Sequence, residues 1–171
     1  VGHPAIIHQG RIQFQSFALN LPDSASTGLI GAPDKLEQVR GWNYDAVKNL
    51  EDSLRVHYPG GAQWAALSLA VDNPAASGAR ESLDYSMFDK LRLELKGETA
   101  GETILVNLKD RDDPDDGSQT NLELVLSDEW QVYEFDLSRF DNAELQKLHV
   151  VLAFLFLEGQ QTFFIRSATF I

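Results

Sequence analysis

The sequence predicts an all-β, two-sheet antiparallel β-sandwich, and three observations carry that prediction. Apolar and polar residues alternate through six successive segments of the second half, the period of a strand with one buried face. The joints between them are short and rich in Gly, Asp, Asn and Ser, the residues of turns. Helical periodicity is hard to find, and ELQKL at 144–148 offers one turn at most.

Taken in order, residues 1–10 (VGHPAIIHQG) are a lead-in or an edge strand. RIQFQSFAL at 11–19 reads as one strand with Ile12 and Phe14 on one face. Residues 20–52 read as a long connection, first rich in Gly, Pro, Ser and Asp, then GWNYD, then a short helical turn or loop at AVKNLED. Connections of such length usually have a function or pack as a lid. SLRVHY at 53–58 is a strand with Leu54, Val56 and Tyr58 in phase; PGGAQ is a turn; WAALSLAVD at 64–72 is a strand. Residues 73–89 form a second long connection. Six strands follow at 90–97, 103–110, 119–126, 130–137, 147–159 and 162–171. Regular spacing of short strands suits a sandwich within a single domain over 1–171.

Composition narrows the partners. A hydrophobic fraction of 43% is that of a globular chain, and the net charge of −12 argues against nucleic acid and anionic membrane. The chain contains no Cys, which removes disulfides, thiolate metal sites and a Cys nucleophile. The longest apolar run, Val150 to Leu157, has eight residues and is too short to span a bilayer. A start at Val1 without Met is expected of a processed chain or a piece of a larger protein.

From Asp84 onward the motifs DYSMFDKLRLELKG (84–97), VNLKDRDDPDDG (106–117), WQVYEFDLSRF (130–140) and TFFIRSATF (162–170) resemble those of jelly-roll carbohydrate-binding modules in the galactose-binding-domain-like group. The first half matches loosely, through RIQFQSF and LRVHYPGGAQWAAL. The resemblance implies a jelly roll that binds sugar without catalysis. It implies an exported protein, extracellular or periplasmic, acting beside an attached catalytic domain. The family often holds a structural calcium ion through carboxylates on its opening and closing strands. Gln13, Gln15, Arg166 and Ser167 stand at the matching places. Amides and a guanidinium do not suit a hard cation that prefers anionic oxygens, so neither that calcium nor any other metal or cofactor is expected.

Several residues have two readings each. Trp64 opens a strand whose other face-mates, Ala66, Ser68 and Ala70, are small. It is either a stacking platform at the end of a groove or a core residue under a loop. Trp42 and Tyr44 either contact ligand or plug the long connection onto the sandwich. Arg55, His57, Asn107 and Lys109, all out of phase with the core and read as sharing one sheet, either supply hydrogen bonds to hydroxyls or face solvent. Asp110, Asp112, Asp113, Asp115 and Asp116 read as a solvated turn rather than a calcium loop, because Pro114 interrupts the ligand spacing. Trp130 reads as core, and His149 as a structural His. His3 and His8 lack the companions a zinc site needs.

The strand from Leu148 to Leu157 is apolar in both phases, which argues that part of any groove is covered. The expected function, from the resemblance, is a non-catalytic module for a neutral poly- or oligosaccharide. The alternative is a structural or interaction domain of a larger exported protein. A polysaccharide-degrading enzyme fits least, because no carboxylate pair is placed for it.

Overall fold

The computed structural model describes residues 2–13, 16–21, 24–29, 47–58, 65–72, 80–156 and 160–171. Its strands are β1 (Ala5–His8), β2 (Arg11–Ile12), β3 (Ser16–Leu21), β4 (Ser24–Leu29), β5 (Val47–Asn49), β6 (Leu54–Tyr58) and β7 (Ala65–Ala70). They continue as β8 (Lys90–Gly97), β9 (Thr103–Asp110), β10 (Leu122–Val125), β11 (Gln131–Asp136), β12 (Leu148–Phe156) and β13 (Gln161–Phe170). Two 3-10 turns, Leu137–Arg139 and Leu145–Lys147, are the helical elements among the described residues.

All pairings are antiparallel and form two sheets. The seven-stranded sheet runs β11-β8-β13-β1-β2, with β6 and β5 branching from β13; the six-stranded sheet runs β10-β9-β12-β7-β3-β4. Sequence alternation aims one phase of each strand into the space between them. Leu91, Leu93 and Leu95 of β8 are fully buried, as are Ile104 and Val106 of β9. Burying each such side chain contributes about 1.5–3 kcal/mol. The sheets meet through aromatic rings. Phe154 and Phe156 of β12 pack on Phe163 of β13 at 5.4 and 5.7 Å, and Phe156 stacks on Tyr58 of β6 at 5.5 Å. Tyr85 closes one end against Phe170 at 4.5 Å and donates its hydroxyl to the His3 carbonyl oxygen at 3.2 Å.

Several sequence expectations need correction. The lead-in is interior, because β1 pairs with β13 on one side and β2 on the other. The strand read at 11–19 is two strands in different sheets. Alternation cannot show that a chain changes sheets. Within the connection read at 20–52, β4 pairs with β3 and β5 with β6. Ser-, Ala- and Thr-rich β4 has no apolar alternation, and three-residue β5 is too short to show any. Both are held by backbone pairing.

Trp130 is not in the core. It is half-buried on the outer face of the seven-stranded sheet, with the Arg166 guanidinium 4.0 Å and the Lys96 ammonium 5.3 Å from its ring centre. Arg166 sits at a bulge in β13 and donates to Glu94 at 2.7 Å and Asp52 at 3.4 Å.

Candidate functional site

The outer face of the six-stranded sheet carries a groove of about 620 Å³. Cross-strand register builds its floor in rows. One row runs from Asn107 on β9 through Ala153 on β12 to Ser68 on β7. A second places Leu155 between Leu105 and Ala66. A third places Val150 between Lys109 and Ala70. Small residues on β7 and β12 leave the space; Asn107 and Lys109 on β9, with Gln119 and Asn121 ahead of β10, give it polarity.

The phase of β12 explains its sequence. Register shifts along this strand put both His149 and Val150 on the groove side and both Val151 and Leu152 in the core. Bulges of this kind re-aim side chains. The strand reads as apolar in both phases because Val150, Ala153 and Leu155, which face the groove, are themselves apolar.

The groove wall comes from the acidic turn and Arg80. Arg80 donates to Asp115 and, at 3.2 Å, to the Asp113 carbonyl oxygen. Lys109 lies 3.1 Å from Asp115 and 3.8 Å from Asp113. Burial pushes the Asp115 carboxyl up, but hydrogen bonds from Arg80 and Lys109 outweigh it and hold the group below its usual value. The other carboxylates shape the turn. Asp110 accepts from the Asp112 and Glu144 amides at 2.9 and 3.0 Å. Asp113 accepts from the Asp115 amide at 2.8 Å, and Asp116 from the Ser118 amide at 3.0 Å. Gly117, on the groove rim, has a φ of +83°, a backbone that L residues rarely adopt.

Three buried polar atoms facing this region have no partner: Asn107 Oδ1, Gln119 Oε1 and His149 Nε2. Asn107 is 2% exposed and His149 is 1% exposed. The other ring nitrogen of His149 lies 2.9 Å from the Glu81 carbonyl oxygen and 3.1 Å from Asp72. His149, read from sequence as structural, therefore also faces the groove. A lone His among apolar neighbours gives no signal of that.

The polar residues singled out by sequence divide. Asn107 and Lys109 line the groove. Arg55 and His57 lie on β6, on the outer face of the opposite sheet, where Arg55 pairs in register with Phe164 and His57 Nδ1 lies 2.7 Å from Thr162 Oγ1. The expectation that all four share one sheet is corrected: alternation tells that a residue points outward, not from which sheet. Trp42, Tyr44 and Trp64 lie outside the described residues.

No protein-family model and no curated protein sequence matches the chain. Solved structures do. The family 30 carbohydrate-binding module of cellulosomal cellulase Cel9D-Cel44B of Clostridium thermocellum superposes with a TM-score of 0.59 at 12% identity, over 98% of this chain and 95% of that one. The fold is that of a jelly-roll carbohydrate-binding module. A family 11 carbohydrate-binding module from Clostridium thermocellum, solved with a β-1,3-1,4-mixed-linked tetrasaccharide, gives 0.51 at 13% identity over 72% of this chain and 77% of that one. PfGH50B gives 0.53 at 13% identity over 72% of this chain, but the match spans only 21% of PfGH50B. No helix among the described residues is long and apolar enough to cross a membrane.

Proposed function

We propose that the protein is a non-catalytic carbohydrate-binding module that takes a neutral poly- or oligosaccharide in the groove of the six-stranded sheet. The observation that carries this reading is a groove on a carbohydrate-binding-module fold whose floor mixes small apolar surface with buried, unpartnered polar atoms. Sugar rings offer a C–H face to apolar surface and hydroxyls to fixed polar groups. A module of this fold has been solved with a β-1,3-1,4-mixed-linked tetrasaccharide.

Asn107 and Lys109 supply polar contacts in this reading. Trp64, two residues ahead of Ala66 and in its phase, supplies the stacking ring, with Trp42 and Tyr44 as further aromatic contacts. Arg55 and His57 take no part. Hydrolysis needs a protonated carboxylic acid as well as a carboxylate. Among the described groove residues the carboxylates are Asp115 and Asp116. Ion-pair hydrogen bonds depress the first against its burial, and hydrogen bonds from Ser118 depress the second, so neither holds a proton for a leaving group. The module would act for an attached catalytic domain by raising local polysaccharide concentration, outside the cell or in the periplasm.

Affinity electrophoresis in gels containing β-glucan, xylan, mannan, galactan or alginate tests the reading. Retardation by a neutral polymer, lost in folded Trp64→Ala, is expected. Unchanged mobility in every gel would turn the reading toward an interaction domain.

A further inference from the structure

The groove floor is chemically one-sided. Asn121 Oδ1 accepts from Asn107 Nδ2 at 3.0 Å and from Gln119 Nε2 at 3.5 Å. Both amides therefore direct their donors at Asn121 and leave their own oxygens, Asn107 Oδ1 and Gln119 Oε1, without partners. With Asn121 placed so that its oxygen accepts from both, turning either amide over would set oxygen against oxygen. His149 obeys the same logic. Its Nδ1 faces the Glu81 carbonyl oxygen at 2.9 Å, with Asp72 Oδ1 alongside at 3.1 Å, so the proton of the neutral ring belongs there. Nε2 is left as a bare lone pair, buried and unpartnered. All three orphaned atoms are acceptors.

The cations of the wall already hold carboxylates, though not with every N–H. Lys109 and Arg80 both bond Asp115, so their charge is matched within the protein. A buried acceptor without a partner is unfavourable, and two of these three sit on side chains at most 2% exposed. The missing partners must bring hydrogen atoms.

We propose that Asn107 and His149 are the specificity-determining pair of the groove, two fixed acceptors that select a neutral sugar residue donating one hydroxyl hydrogen to each. This rests on the reading of the groove as a glycan site and adds to it the polarity of recognition. Asp72 and the Glu81 carbonyl act as positioning groups that keep the His149 proton on Nδ1. Carboxylate or sulfate groups, which only accept, would meet lone pairs on this floor.

The test uses the whole chain with mixed-linkage β-glucan, xylan and galactomannan as probes and two readouts. The first is affinity for wild type and Asn107→Leu, a near-isosteric change that removes the orphaned oxygen together with the hydrogen bond to Asn121, so folding is checked alongside. The second is the ¹⁵N shift of His149 Nε2 during titration of wild type, which moves upfield when that nitrogen accepts a hydrogen bond. The expected result is one probe that binds, an affinity at least about tenfold weaker in folded Asn107→Leu, a factor worth about 1.4 kcal/mol, and a moved Nε2 signal. Binding undiminished in folded Asn107→Leu, with Nε2 unmoved, would overturn the acceptor pair and leave the glycan reading intact. Were Asn107→Leu to misfold, the Nε2 shift alone would decide. No binding by wild type, with Nε2 unmoved at saturating probe, would overturn both.

Discussion

The two sheets share one core and differ in how they finish their outer faces. On the seven-stranded sheet most outward groups are matched to one another, with Arg166 Nε and Gln161 Oε1 left without partners. Arg92 pairs with Glu134 at 2.7 Å, Arg166 holds Glu94 and lies over Trp130, Lys96 sits between Trp130 and Phe164, and His57 meets Thr162. On the six-stranded sheet the outward rows leave buried acceptors unmatched. A mostly satisfied face stabilises the fold and asks nothing of a partner. An unsatisfied one is less stable alone and gains when a ligand supplies the missing bonds.

The most disruptive way to probe that contrast is to remove what the sheets have in common. Phe163 lies between Phe154 and Phe156 and is fully buried. Phe163→Ala is expected to cost about 3–5 kcal/mol and to lower the calorimetric unfolding temperature in one transition. Two separate transitions would mean that the sheets do not share a cooperative core.

A cut confined to the groove side should be smaller. Asp110, 7% exposed, staples the acidic turn through the Asp112 and Glu144 amides. Asp110→Ala is expected to cost about 1–3 kcal/mol. Amide exchange should speed up at Asp112 and Glu144 while β8 and β13 keep their protection; unchanged rates at those two amides would refute the staple.

On the matched face, Arg166→Met should cost only about 1 kcal/mol, because a half-exposed ion pair and cation–π contact are screened by water. Denaturant unfolding should register the loss, and polysaccharide retardation should not change. A change in retardation would mean that the seven-stranded face also handles ligand.

The smallest effect is that of pH on Asp115. Its folded carboxyl lies below 3.8, so the ion pairs with Arg80 and Lys109 stabilise fully above that value and fade as pH falls through the folded one. The stability gap between wild type and Asp115→Asn should therefore be flat near neutrality and narrow below about pH 3.8. A urea-unfolding series that shows the gap widening on acidification would reverse this assignment.

The comparison also shows what sequence reveals. β8, β9, β11 and β13 were legible because a half-buried strand must alternate, and Leu91-x-Leu93-x-Leu95 permits no other reading. β4 and β5 were not, because short or small-residue strands are fixed by their neighbours rather than by their own pattern. Asn107 and Lys109 could be read as outward-facing, but so could Arg55 and His57, and only topology separates the two pairs. His149 shares the phase of Ala153 and Leu155, but with only apolar neighbours in that phase nothing marked it as facing a groove.

β13 carries one more consequence. It joins β8 along one edge and both β6 and β1 along the other, yet it follows all of them in the sequence. During synthesis those three strands emerge with bare backbone edges and wait for a common partner that appears last. Bare edges recruit other chains, and pairing between distant segments is slow. The ribosome-bound chain should therefore be most prone to aggregate just before residues 161–170 are made, and a chaperone that masks the β6 and β8 edges would raise the yield of folded protein.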